Sequence, residues 1–191
     1  MKERLDETIE AAARENSHMA LLFLDLDRFK VINDSLGHAV GDKLLVEMGR
    51  RLVRCLRNED TVARLGGDEF MILLPNISAR EDAGAVARKV IASLADPIVC
   101  DGHELYLTTS IGITFHPDDG NDRSRLMRNA DVAMYQAKEK GRNNYQFWTP
   151  DMEDSSHRRL SMETQLRKAV ERHELELYYQ PKLDLASGEV V

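Results

Sequence analysis

The stretch Arg64-Leu65-Gly66-Gly67-Asp68-Glu69-Phe70 constrains this chain more tightly than any other. Residues 62–65 and 70–74 are apolar runs of strand length, and the two glycines between them supply the tight reversal of a two-residue hairpin. The spacing predicts two antiparallel strands with Asp68 and Glu69 fixed at the tip, where little side chain blocks a ligand. Two carboxylates on a rigid turn suit a divalent cation. They equally suit a solvated tip that carries acids for solubility, and the motif alone leaves both open.

The remaining segments say what surrounds that hairpin. Residues 19–27 form a continuous apolar run that turns to alternation, as expected of a buried central strand. Strand side chains alternate, so Asp25 and Asp27 share a face at its end. Apolar residues at helical spacing predict helices over 2–16, 29–36, 41–57, 78–95 and 122–140, with Gly37 and Gly141 as stops. Ser78 and Glu81 have the spacing of a capping box, and Pro75-Asn76 just before them is expected to end the second hairpin strand. Residues 98–99 and 104–115 read as strands joined at Asp101-Gly102, and 145–148 as a closing strand. This order predicts an α+β fold, an α/β sandwich with a mixed central sheet covered by helices.

Pro150 marks a boundary. Residues 1–150 are expected to form one domain. Residues 151–191 read as a charged linker helix and one fresh strand pattern, which has no sheet of its own to join. That tail is the expected start of a second, truncated domain.

Composition excludes several classes. A net charge of −7 argues against nonspecific nucleic-acid binding, which needs a basic face. The longest apolar run, residues 19–24, cannot span a bilayer, and the charged N-terminus lacks a signal-peptide core. Two cysteines in different elements do not make a disulfide framework, so a cytoplasmic setting is expected. An acidic protein that handles a polyanion must do so locally, through a metal or a few placed cations.

Three places offer such groups. Asp25 and Asp27 are followed by Arg28 and Lys30. Asp68 and Glu69 stand on the hairpin and would converge on Asp25 if the strands are neighbours; Mg²⁺ is commonly held by such carboxylates together with substrate phosphates. Lys138 and Arg142 flank the end of a helix, where they could hold terminal phosphates or simply complement the helix dipole. Asn33, His38 and Asp42 surround a short loop. Asn and Asp together can read the edge of a purine, and both are also common capping and turn residues.

These residues resemble the GGDEF domain of diguanylate cyclases. The matching text is Phe23-Leu-Asp-Leu-Asp-Arg-Phe-Lys30, Asn33-Asp-Ser-Leu-Gly-His38-Ala-Val-Gly-Asp42, Gly66-Gly-Asp-Glu-Phe70 and Ala137-Lys-Glu-Lys-Gly-Arg-Asn143. The resemblance implies a βαββαβ-type core like that of nucleotidyl cyclase and polymerase palm domains. It implies condensation of two GTP into cyclic di-GMP and two pyrophosphates by a homodimer, each domain holding one GTP with Mg²⁺ (or Mn²⁺). Carried over by position, Asp25, the carbonyl of Leu26, Asp68 and Glu69 are expected metal ligands. Asp68 is also the expected general base, and Lys30 the cation that steadies the transition state. Asn33, His38 and Asp42 fall on nucleotide-binding positions, and Lys138 and Arg142 on those that hold the β- and γ-phosphates. Arg57 and Asp60 match the family's Arg-x-x-Asp inhibitory site for cyclic di-GMP, with Arg88 as a second cation. The alternative is a catalytically silent GTP-binding domain that regulates a phosphodiesterase.

The tail resembles the opening of an EAL phosphodiesterase domain, through Leu166-Arg-Lys-Ala-Val170, Leu175-Glu-Leu-Tyr-Tyr-Gln-Pro-Lys-Leu-Asp-Leu185 and Gly188-Glu-Val190. Its metal-binding motifs are absent from this stretch, so phosphodiesterase activity is not expected of these residues. Residues 1–17 lack the usual GGDEF-domain opening, and the sequence is expected to begin inside that domain.

Overall fold

Strand β1 (His18–Leu26) is the middle of the sheet, and its residue pattern shows why. Residues 19–24 are all buried, which suits a strand covered on both faces. In the computed structural model, which describes residues 2–152 and scattered positions between 169 and 187, β1 pairs antiparallel with both neighbours. The neighbours are β3 (Glu69–Ile77) and β6 (Thr109–His116). The five-stranded order is β2-β3-β1-β6-β7, with β2 (Thr61–Gly66) at one edge and β7 (Tyr145–Phe147) at the other. Only the β6–β7 pairing is parallel, so the sheet is mixed, as the element order predicts.

Alternation along β1 separates two cores. Ala20, Leu22, Leu24 and Leu26 face α3 (His38–Cys55) and α4 (Arg80–Ser93). Met19, Leu21 and Phe23 face α1 (Lys2–Glu15) and α5 (Arg123–Glu139). Asp25 and Asp27 continue the second row, so both acids belong to the α5 side. Helix and sheet come closest at Gly112 in β6. A Cβ there would stand 1.9 Å from the Ala130 carbonyl oxygen and 2.3 Å from the Met134 nitrogen, so only glycine fits.

Several boundaries differ from expectation, each for a local reason. The segment read as one strand over 104–115 is two. Strand β5 (His103–Leu105) folds back on β4 (Ile98–Cys100) as a separate hairpin, while residues 106–108 leave the ladder. There the Thr108 carbonyl accepts the Asp27 N–H at 2.9 Å. Pro75-Asn76 does not end β3; Asn76 takes a left-handed φ of 52° and the register slips, letting Ile77 pair with His18. Helix α4 therefore starts later, with Ala79 at the N-cap and Asp82, rather than Glu81, accepting the cap N–H at 3.1 Å. Helix α3 begins at His38, because Gly37, at φ 83°, joins it directly to α2 (Phe29–Leu36).

The chain divides into two units, Met1–Glu153 and Asp154–Val191. In the second, Asp184 accepts backbone N–H bonds from Ala186 and Ser187 in a local turn. The expected linker helix and strand of this unit lie almost wholly outside the described residues. Cys55 and Cys100 are buried and unpaired.

Candidate active site

Sheet register brings the acids together. Asp25 is the direct partner of Glu69 across β1 and β3, and the Leu26 N–H donates to the Asp68 carbonyl at 3.3 Å. The hairpin turn sits one residue later than its glycines suggest. Gly66 pairs with Glu69, so Gly67 (φ 52°) and Asp68 form the two-residue turn, and Glu69 already belongs to the strand. Arg64 Nε donates to the Gly67 carbonyl at 2.9 Å and steadies that turn.

The acids share one cation. Lys138 Nζ lies 2.7 Å from Asp25 Oδ2, with both side chains largely withdrawn from solvent. Burial nonetheless raises the Asp25 carboxyl above its ordinary value, with Asp68 and Asp27 repelling it, although the Lys138 contact works in the opposite sense. Glu69 is raised as well, chiefly by burial and then by repulsion from Asp131, Asp25 and Asp68. Asp131, on α5, is an acid of this cluster that sequence reasoning missed. Its position seven residues before Lys138, two turns away on the same face of the helix, was the available signal.

Asp27 does not belong to the open part of the site, although its position in the sequence groups it with Asp25. It is buried, and its carboxylate accepts from Thr108 Oγ1 at 2.6 Å, Ser110 Oγ at 2.7 Å and the Asn143 N–H at 3.2 Å. The last bond fastens the segment after α5. Gly141 at φ 106° ends that helix, and the Arg142 N–H returns to the Ala137 carbonyl at 3.1 Å, the pattern of a Schellman cap. Arg142 is thereby held exposed beside the acids' end of the sheet.

The α2–α3 corner carries the other candidates. Asn33 Oδ1 would lie 1.9 Å from a Cβ on Gly41, so Asn33 packs against the backbone next to Asp42. Asp42 and His38 are exposed on the first turns of α3, and neither is the α3 N-cap, which is Gly37. Lys30, in the first turn of α2, is exposed.

The second candidate site is a turn at the end of α3. The Arg57 N–H donates to Asp60 Oδ2 at 2.8 Å, leaving the Arg57 guanidinium exposed beside Glu59. Arg88 on α4 instead donates to the Tyr145 hydroxyl at 2.8 Å. Lys89 Nζ reaches the Cys55 carbonyl at 2.9 Å and fastens α4 to the end of α3; it too was missed by sequence reasoning.

Among the described residues no group of three His, Cys, Asp or Glu side chains is close enough to hold a metal by itself. The donor set still fits a hard divalent cation. The carboxylates of Asp25 and Glu69 lie on paired strands and repel each other beside the Lys138 ammonium, and Mg²⁺ ordinarily completes its shell with water and phosphate. No helix among the described residues is long and apolar enough to cross a membrane.

Residues 1–144 match the family described as "Diguanylate cyclase, GGDEF domain". The chain is 43% identical over 193 residues to MucR of Pseudomonas aeruginosa, named a bifunctional diguanylate cyclase/cyclic di-GMP phosphodiesterase. That match covers 100% of this chain and 28% of MucR. It is 42% identical over 172 residues to NbdA of the same organism, a cyclic di-GMP phosphodiesterase, covering 90% of this chain and 22% of NbdA. The chain thus spans less than a third of the length of either relative. The crystal structure of the GGDEF domain of TpbB, also from Pseudomonas aeruginosa, superposes with a TM-score of 0.76 at 40% identity. It covers 78% of this chain and 92% of that one. With the sheet order, the Gly-Gly-Asp-Glu-Phe hairpin and this match in agreement, the chain belongs to the GGDEF-domain family of diguanylate cyclases.

Proposed function

We propose that this chain is a GTP-dependent diguanylate cyclase module. The observation that carries the reading is the register of Asp25 with Glu69, beside the Asp68 turn and within reach of Lys138. In this reading Asn33, His38 and Asp42 hold the nucleotide, with Asn33 and Asp42 on the guanine. Lys138 and Arg142 hold the β- and γ-phosphates, and Lys30 steadies charge on the reacting phosphoryl group. Asp25, Asp68, Glu69 and the Leu26 carbonyl would hold Mg²⁺, or Mn²⁺ in its place, which supplies charge compensation to the phosphate oxygens. Asp68 takes the proton of one GTP 3′-hydroxyl as its oxygen attacks the α-phosphorus of the other GTP. The new P–O bond forms as the bond to the β-phosphate bridging oxygen breaks, and pyrophosphate leaves. The same step in the opposite direction closes the ring, so two copies of the domain must face each other.

Arg57 and Asp60, with Arg88, form in this reading an inhibitory site for the product. Residues 151–191 are in this reading a linker helix and the opening strand of an EAL domain. The likeness to NbdA, a phosphodiesterase, favours one second reading: a GTP-binding domain that regulates a neighbour without catalysis. Incubation with GTP and Mg²⁺ separates the two. Cyclic di-GMP with pyrophosphate supports the cyclase, and its loss in Asp68→Ala supports the assigned base. GTP binding without product supports the regulator.

A further inference from the structure

The proposed roles of Asp25 and Lys138 compete in the observed arrangement. With Lys138 Nζ 2.7 Å from Oδ2, one oxygen of Asp25 is engaged and the ammonium repels a second cation at the same carboxylate, while the carboxylate holds the ammonium back from a terminal phosphate. The contact is not an ordinary surface pair. The side chains are 25% and 13% exposed, so solvent screens it less than the usual lysine–carboxylate pair. Lys138 also acts electrostatically on Glu69 and on Asp131, so Asp25, Glu69 and Asp131 have this cation in common. Helix α5 fixes its position, since the last turn is capped through Ala137 and tied to β1 through Asn143 and Asp27.

We propose that Lys138 is the resident counter-ion of Asp25, holding this acid closed to a free divalent cation until a nucleoside triphosphate draws the ammonium away. The inference rests on the reading of Asp25 as a metal ligand. A triphosphate competes for Lys138 with several oxygens against one carboxylate, and it brings metal-binding oxygens of its own. Metal and nucleotide therefore load as a unit, and the bare metal alone is rejected. Lys138 serves in the nucleotide-free state as a positioning residue, acting on the metal through Asp25.

The test is Mn²⁺ binding to the nucleotide-free 191-residue chain, followed by the electron paramagnetic resonance of free Mn²⁺. Lys138→Met keeps most of the unbranched side chain and removes its charge, and folding is checked by circular dichroism and Tm. Mn²⁺ affinity rises roughly fivefold to tenfold in Lys138→Met, the size expected of a lost partly buried ion-pair competitor. Adding Asp25→Asn to Lys138→Met abolishes that gain. An unchanged or weaker Mn²⁺ affinity in Lys138→Met overturns the proposal, as does a gain that survives Asp25→Asn. Lys138→Gln gives a second, independent variant. Because no nucleotide is present, absence of cyclic di-GMP synthesis would remove the cyclase reading without altering this outcome.

Discussion

Asp27 accepts the backbone N–H of Asn143 across 116 positions of sequence, and so ties the end of the central strand to the cap of α5. The same carboxylate takes the hydroxyls of Thr108 and Ser110. In Asp27→Ala all three donors lose their acceptor, two of them at partly or fully buried positions. Stability should fall by roughly 2–4 kcal/mol, read from urea unfolding. A loss below about 0.5 kcal/mol would mean that Asp27 is not the tie described above.

Gly112 and Gly49 offer opposite outcomes from the same substitution. Gly112→Ala drives a methyl into the Ala130 and Met134 backbone and should cost roughly 3 kcal/mol. Gly49 lies inside α3 with nothing within 4 Å of an added Cβ, so Gly49→Ala should stabilise by about 0.5–1 kcal/mol. Thermal or urea melts of both variants against the unchanged protein check the pair.

Glu69 costs the folded state something at neutral pH, because burial and then the neighbouring acids raise its carboxyl above the ordinary 4.5. Glu69→Gln should raise Tm by roughly 1–3 °C at pH 7. The sign with pH follows from the raised value. The folded state binds the proton more tightly than the unfolded one, so the cost is complete above the folded pKa and vanishes below 4.5. The Tm advantage of Glu69→Gln should shrink on acidification through that window. An advantage constant down to pH 4 would rule out the charge as its origin.

Arg57 is exposed and its turn is held through its own N–H rather than its guanidinium. Under the proposed inhibitory site, Arg57→Ala should leave folding intact while raising, by about tenfold or more, the cyclic di-GMP concentration that halves the initial rate. An unchanged inhibition curve would dismiss the site.

Much of this arrangement was legible in the residues. The apolar run before Asp25 marked the central strand, and the two glycines before Asp68 marked the hairpin, because burial and turn geometry leave a period and a composition behind. The separation of β5 from β6 was not legible. Residues 104–115 keep strand-like composition throughout, and the break depends on Thr108 bonding to Asp27, a residue far away in sequence. The burial of Asp27 escaped for the same reason. Its hydroxyl partners lie at the start of β6 and in the segment just before it, so local spacing could not tell a satisfied acid from a solvated one. The pairing of Lys138 with Asp25 joins β1 to the end of α5, and no pattern within either segment records it.

The close approach at Gly112 also sets a dimension. With Ala130 and Met134 lying on that glycine, α5 has one permitted height above the sheet. Lys138 stands eight residues beyond Ala130, roughly 12 Å along a helix axis. The reach of its ammonium to Asp25 is thus gauged from a residue with no side chain. One residue inserted between them would swing Lys138 about 100° around the helix. An insertion in this stretch is therefore expected to break the Lys138–Asp25 pair, whereas a substitution leaves the spacing intact.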